Sequence, residues 1–231
     1  MNFDQKRLYN IADASLKQLA DDLKDSIIRD TTEFATRGFT STKLEAFEAL
    51  ITAFDETTTD EELRGNITTK VELKDALAKT LKQEISAIRS RVVNKFGQSS
   101  GLYNSFGFGE LANLSDDVLY RTAKRVVRIA TSLLSQLSSE GLTTDILSNI
   151  TQQAINLDSA IDAVGEAEEK RDLQTQDRIN KGNALYTEMV KLAGTGKSLY
   201  EFSNEAKYND YVLIETNTQK VEPTEPTNPT S

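Results

Sequence analysis

The sequence predicts an all-α fold: an antiparallel helical bundle of about six helices, built from two duplicated three-helix units with pseudo-twofold symmetry. Three observations point there. All three prolines, Pro223, Pro226 and Pro229, fall in the last nine residues, so the residue that most disrupts a helix is missing from the 222 before them. Apolar residues return at helical intervals, and strand-like alternation is confined to the short run "YVLI" at 211–214. The chain also aligns weakly with itself at an offset of 103 residues.

The expected helices follow in order. The first spans 5–35, with Gly38 as its stop. The second, 41–54, carries one apolar stripe of Leu44, Phe47, Ile51 and Phe54. A third, over 70–96, carries Leu77, Leu81, Ile85, Ile88 and Val92 and is closed by Gly97. Its start is marked by Thr69 with Glu72 three residues later, a capping-box spacing that Thr59 and Glu62 share. The remaining helices are expected over 115–138, 144–164 and 166–192.

The repeat sets 37–55 over 140–158. Gly38 meets Gly141, Thr40 meets Thr143, Leu44 meets Leu147 and Asp55 meets Asp158. Leu147, Ile150, Ala154 and Leu157 keep the spacing of the first stripe. After a six-residue deletion, "VVNKFGQSSGLY" from Val92 lies over "MVKLAGTGKSLY" from Met189, and "LSDDVL" from Leu114 lies over "YNDYVL" from Tyr208. Three blocks in one order imply a first helical unit at 1–113, a second fused to it at 114–214, and a flexible Pro/Thr-rich tail at 215–231.

Composition excludes much chemistry. The 231 residues contain no histidine, cysteine or tryptophan, so Ser-His-Asp and Cys-His nucleophiles, thiolate chemistry and ordinary zinc sites are ruled out. A net charge of −9 argues against general nucleic-acid binding, which depends on neutralising phosphates. The N-terminus has charges among its apolar residues and no segment is apolar enough to span a membrane, so a cytoplasmic protein is expected.

The stretch "AGTGKSLYEF" from Ala193 carries Gly-Thr-Gly-Lys-Ser, the ending of a phosphate-binding loop. That loop needs a first glycine separated by four residues from its final Gly-Lys-Ser, and the position is Lys191. It also follows a strand, whereas "NALYTEMVKLA" reads as helix. The run is therefore expected to end a helix, with Lys197 as a possible adventitious anion contact.

Other clusters read similarly. "DETTTDEE" at 55–62 lacks the alternating oxygens and central glycine of a calcium loop and reads as a polar connection entering an acid-rich helix start. "GLYNSFGFGEL" at 101–111 gathers aromatics among glycines, with Leu102 and Tyr103 expected in the core and Phe106 and Phe108 at the surface. In "YRTAKRVVR", Arg121, Lys124, Arg125 and Arg128 make a basic stripe on one helix face. Its simplest reading is a solvated or salt-bridged face; the alternative is a surface for an acidic partner.

The segment "EAKYNDYVL", from Glu205 to Leu213, resembles uncharacterised helical proteins of Bacteroidetes bacteria. The resemblance covers about a tenth of the chain, implies that lineage or its phages, and carries no activity.

These readings favour a non-enzymatic structural or protein-interaction bundle with no cofactor or metal, contacting a protein partner or itself. Phe106, Phe108, Arg121, Lys124, Arg125, Arg128 and Lys197 form its candidate surface. A ring or connector in a larger assembly, such as a virion or secretion apparatus, fits duplicated helical units. The alternative is a small-ligand or nucleotide-binding bundle using the Gly194–Ser198 turn with Lys197 and Tyr200.

Overall fold

Gly38, Gly97 and Gly141 have φ of 71°, 79° and 76° and end helical segments in the structure, a computed structural model that describes residues 6–213. A Cβ strains these backbone conformations, so glycine occupies them at the lowest cost. Among the described residues the α-helices are α1 (Asp13–Arg29), α2 (Thr31–Ala35), α3 (Ser41–Asp55), α4 (Asp60–Phe96), α5 (Gly101–Phe106), α6 (Asp116–Ser132), α7 (Leu134–Leu137), α8 (Thr144–Tyr200) and α9 (Glu205–Asp210). Single 3₁₀ turns occupy Leu111–Asn113 and Ser138–Glu140. No described residue is in a strand, and Tyr211, which opens the strand candidate, sits in a turn. The protein is all-α; Ile214 and the Pro/Thr tail lie outside the described residues.

Several expected boundaries move. Residues 6–12 are not helical, because Tyr9 turns inward: it is buried, and its hydroxyl donates to Asp13 Oδ1 at 2.9 Å. The long first helix also breaks at Asp30 (φ −104°, ψ 25°), giving α1 and α2. Helix α4 begins ten residues before the expected 70. Its box is the one at Thr59, whose N–H donates to the Glu62 carboxylate (2.7 Å) while its hydroxyl accepts from Glu62 N–H (3.3 Å). Thr69 lies inside the helix, its hydroxyl donating back to the Gly65 carbonyl at 3.0 Å.

The expected fifth and sixth helices are one helix, α8, of 57 residues. Gly165 and Gly194 do not interrupt it. A glycine in a helix interior costs only about 1 kcal/mol relative to alanine, which the buried stripe on either side exceeds. The expected correspondence of Gly97 with Gly194 fails for the same reason: Gly97 caps α4 and Gly194 is mid-helix. Similarly, Leu114 to Leu119 leads into α6, whereas Tyr208 to Leu213 spans the end of α9.

The chain forms two compact units. One comprises the described parts of both ends, 6–58 and 174–213; the other is Thr59–Leu173. The expected boundary at 113/114 lies inside the second of these. The end-built unit packs Leu16, Leu23 and Ile27 of α1 and Phe47, Ile51 and Phe54 of α3 with Leu185, Met189 and Leu192 of α8, around Phe34 and Tyr211. The central unit packs Leu81, Ile85, Ile88 and Val92 of α4 with Leu119, Ala123 and Val126 of α6 and Leu147, Ile150 and Leu157 of α8.

Candidate functional site

The Gly-Thr-Gly-Lys-Ser run is not a turn. It lies within the last turns of α8, where backbone N–H groups bond to carbonyls four residues back and are not free to wrap a phosphate. Its second glycine has a different task. A Cβ on Gly196 would stand 2.2 Å from the Tyr211 ring, so this glycine admits the tyrosine against the helix. Gly182, fourteen residues earlier, seats Tyr9 in the same manner, with a Cβ placed 2.4 Å from the Tyr9 hydroxyl. Gly194, by contrast, faces open space. Lys197 is half-buried in the final turn of α8, where a cation complements the helix dipole.

Tyr211 reaches past Gly196 to Asp30, the one fully buried carboxylate among the described residues. Its hydroxyl lies 2.8 Å from Asp30 Oδ2 and 2.9 Å from the Ser26 carbonyl. Arg29 donates to both Asp30 oxygens (3.1 and 2.7 Å) and also reaches Asp210 at 2.7 Å. Lys207 Nζ completes the set 2.6 Å from Asp30 Oδ1 and lies 4.8 Å from the centre of the Tyr200 ring. Hydrogen bonding from Arg29 first, then Lys207 and Tyr211, outweighs burial and holds the Asp30 carboxyl below the usual carboxylate range. Burial, with Asp30 adding to it, pushes the Tyr211 phenol up. Burial likewise pushes Tyr9 up to about 12. Every donor facing Asp30 comes from the α1 end or from α9 and the turn after it, so the cluster is a latch between the two ends of the chain.

Phe106 and Phe108 are core residues, which corrects their expected exposure. Both are buried, and their rings stack 5.0 Å apart. Leu102 instead is 40% exposed. The aromatics fold inward because Gly107 takes a left-handed φ of 58° and Arg125 caps the loop, donating to the Phe106 carbonyl (2.8 Å) and the Gly107 carbonyl (2.7 Å). Arg125 therefore leaves the candidate surface as well.

The rest of the basic stripe borders a groove in the central unit. Tyr120, Lys124, Val127 and Arg128 of α6 line a cavity of about 370 Å³ with Thr151 and Ile155 of α8, over a floor of Ala123 and Ala154. The two alanines keep this floor deep. Lys124 lies 5.0 Å from the centre of the Tyr120 ring, and its ammonium is 3.2 Å from the Tyr120 hydroxyl. The Arg128 side chain forms no hydrogen bond or ion pair with another described residue. Ile155 is 49% exposed. Arg121 is exposed beside Asp117 and stands outside the groove. Thus the structure brings Lys124 and Arg128 together with apolar neighbours that charge patterning alone did not nominate. The sequence signal was available in the small residues Ala123 and Ala154, which leave room between two otherwise bulky stripes.

The groove therefore has an apolar floor with two cations at its rim, and its hydroxyls and amines are those of Tyr120, Thr151 and Lys124. Among the described residues no three acidic side chains converge on a common point, and no helix is long and apolar enough to cross a membrane. No family model, curated protein or solved structure matches the chain.

Proposed function

We propose that this chain is a non-enzymatic interaction protein, a tandem copy of one helical module, whose α6–α8 groove receives an acidic, apolar-tipped segment of a protein partner. The observation that carries the reading is the groove itself: half-exposed Ile155 and the Tyr120 ring lie beside Lys124 and an Arg128 that has no counter-charge among the described residues. An apolar surface with unneutralised cations is complementary to carboxylates flanking an apolar side chain.

Duplication is supported by correspondences finer than the sequence alignment. Helices α1 and α6 are both 17 residues long, beginning at Asp13 and Asp116. Leu16, Ala20, Leu23 and Ile27 are buried at the positions of Leu119, Ala123, Val126 and Ala130. The break at Asp30 (φ −104°, ψ 25°) corresponds to one at Leu133 (φ −106°, ψ 11°), and Gly38 to Gly141. One residue more is needed downstream: Leu81, Ile85 and Ile88 correspond to Leu185, Met189 and Leu192, and six-residue α5 to six-residue α9. The two caps correspond too, Ser100 accepting from Tyr103 N–H and Asn204 from Lys207 N–H. On this reading each compact unit joins the front half of one copy to the back half of the other, an exchange within a single chain.

The copies differ at the groove. Where the second copy has Tyr120, Lys124, Val127 and Arg128, the first has Lys17, Asp21, Lys24 and Asp25, and Asp21 pairs with Lys17 at 2.7 Å and Lys24 at 3.7 Å. One copy neutralises its own face; the other leaves it apolar and cationic. Such a face suits a subunit of a larger assembly, of the kind found in virions or secretion machinery.

Selection of a random peptide display library against the full chain tests this. Peptides with an aromatic or leucine flanked by Asp or Glu are expected. Their affinity should fall about tenfold or more, a loss of 1.4 kcal/mol or more, for a Lys124→Glu/Arg128→Glu variant of unchanged helicity. Peptides binding both proteins equally would overturn the reading. So would a nucleotide that stabilises the chain by the roughly 2.7 kcal/mol expected at 100 times its Kd, if Lys197→Ala abolishes that shift.

A further inference from the structure

The most exposed large apolar residue among those described is Phe202, at 94%. It lies just past the end of α8 in the run Glu201 to Ala206, all of which is exposed. Glu201 and Glu205 flank it, and neither forms an ion pair with another described residue. A phenyl ring held almost wholly in water, beside two unpaired carboxylates, is the chemical complement of the α6–α8 groove. A single exposed apolar side chain is ordinary on a protein surface; what singles out Phe202 is its near-complete exposure together with the acidic residues on either side.

The internal copies sharpen this. Counting back from the helix caps Asn204 and Ser100, the first copy has Gln98 where the second has Phe202. The bare aromatic is therefore not a requirement of the module, just as the cationic groove is not. Both are departures from the repeat, both occur in the second copy, and they match each other in polarity and charge. The groove's 370 Å³ falls within the roughly 300–1,000 Å³ of ordinary ligand cavities and has room for a phenyl ring.

We infer that the groove's occupant is a second copy of this chain: Phe202 of one molecule enters the groove bordered by Lys124 and Arg128 of another, with Glu201 and Glu205 meeting those two cations. This rests on the reading of the groove as a protein-binding face and names its partner. The two surfaces are different patches, so the contact is head-to-tail. Each molecule that uses its groove still carries a free Phe202, and association continues until geometry closes it.

Sedimentation velocity of the full chain over a wide concentration range tests the inference. Wild type should form species larger than a dimer in a concentration- and salt-dependent manner, since rim charges contribute. Phe202→Ser and Lys124→Glu/Arg128→Glu should each weaken self-association by about tenfold or more. Both substitutions alter exposed side chains, and circular dichroism should show wild-type helicity. Mixing the two variants should then restore one contact, giving a one-to-one complex and nothing larger, because one partner supplies the groove and the other the phenylalanine.

A wild type that stays monomeric, variants that associate like wild type, or a mixture that stays monomeric would each overturn the inference. If the groove nevertheless selects acidic peptides, only the identity of the occupant has failed. If it selects none, the groove reading has failed too.

Discussion

Gly194 and Gly196 belong to the same short run, yet they have opposite roles. The first faces water from a helix interior, and alanine there should stabilise the chain by up to about 1 kcal/mol through helix propensity alone. The second touches the Tyr211 ring, and a Cβ at 2.2 Å cannot be accommodated without moving that ring out of the core. Gly196→Ala should destabilise by about 1–3 kcal/mol. Thermal or urea unfolding of both variants checks the contrast, and Tyr211→Ala should remove most of the difference between Gly196→Ala and wild type. Resemblance to a nucleotide motif was legible in the sequence, and so was the reason to doubt it. What could not be read was that Gly196 is a seat, because the residue seated there arrives from fifteen positions further along the chain. The fourteen-residue spacing of Gly182 and Gly196 was the available hint, since it places both glycines near one helix face.

Helix α9 has only six residues, far too few to be stable alone, and its order depends on what holds it. The Asp30 carboxylate does so through Lys207 and through Tyr211 at the helix end. Asp30→Asn should cost about 2 kcal/mol, below the penalty for a wholly buried ion pair, because Arg29 and Lys207 keep contact with water. Hydrogen exchange should show α9 losing protection first.

The pH dependence follows from the direction of each shift. The carboxyl is held low in the folded chain, so its contribution is complete above the ordinary value of about 3.9 and is lost as pH falls through the lower folded value. Lys207 is raised by Asp30, and Tyr211 by burial, so both lose stabilisation as pH rises past about 10. Stability from this cluster should be level between roughly pH 5 and 9 in the wild type. Its acid-side fall should be weaker in Asp30→Asn, as urea midpoints against pH would reveal. Helix α3 was legible almost to the residue because one clean stripe lies between a glycine stop and a polar run. The start of α4 was not, because the chain offers two capping boxes ten residues apart, and the helix uses the first, four residues before the buried Leu63.

The two ends of the chain build one core and the middle builds another, an arrangement that no local signal specifies. Burial patterns within each helix were readable from spacing, and α3 and the start of α8 share one apolar pattern at a constant offset of 103 residues. Partner choice among similar stripes was not readable: α1 and α6 carry equivalent apolar faces, and α4 and the latter part of α8 do likewise. Any of these faces satisfies the pattern of another, so spacing alone is equally compatible with a sequential division at 113/114. The basic stripe was similarly half legible. Its charges were evident, but Arg125 is drawn into capping the Phe106 loop, and the groove depends on alanines whose importance appears only when two helices meet.

Because the chain has no cysteine, a cross-link can interrogate this division directly. Leu8 N–H donates to Asn183 Oδ1 at 2.8 Å, which brings two residues from opposite ends of the sequence within reach of each other. A Leu8→Cys/Asn183→Cys variant, oxidised or treated with a short bis-maleimide, should close within a single molecule, migrating faster on a non-reducing gel, with the shift reversed by reductant in the oxidised sample. Free thiols in the folded monomer would contradict the account, because they would mean that the two ends of the chain do not share a core.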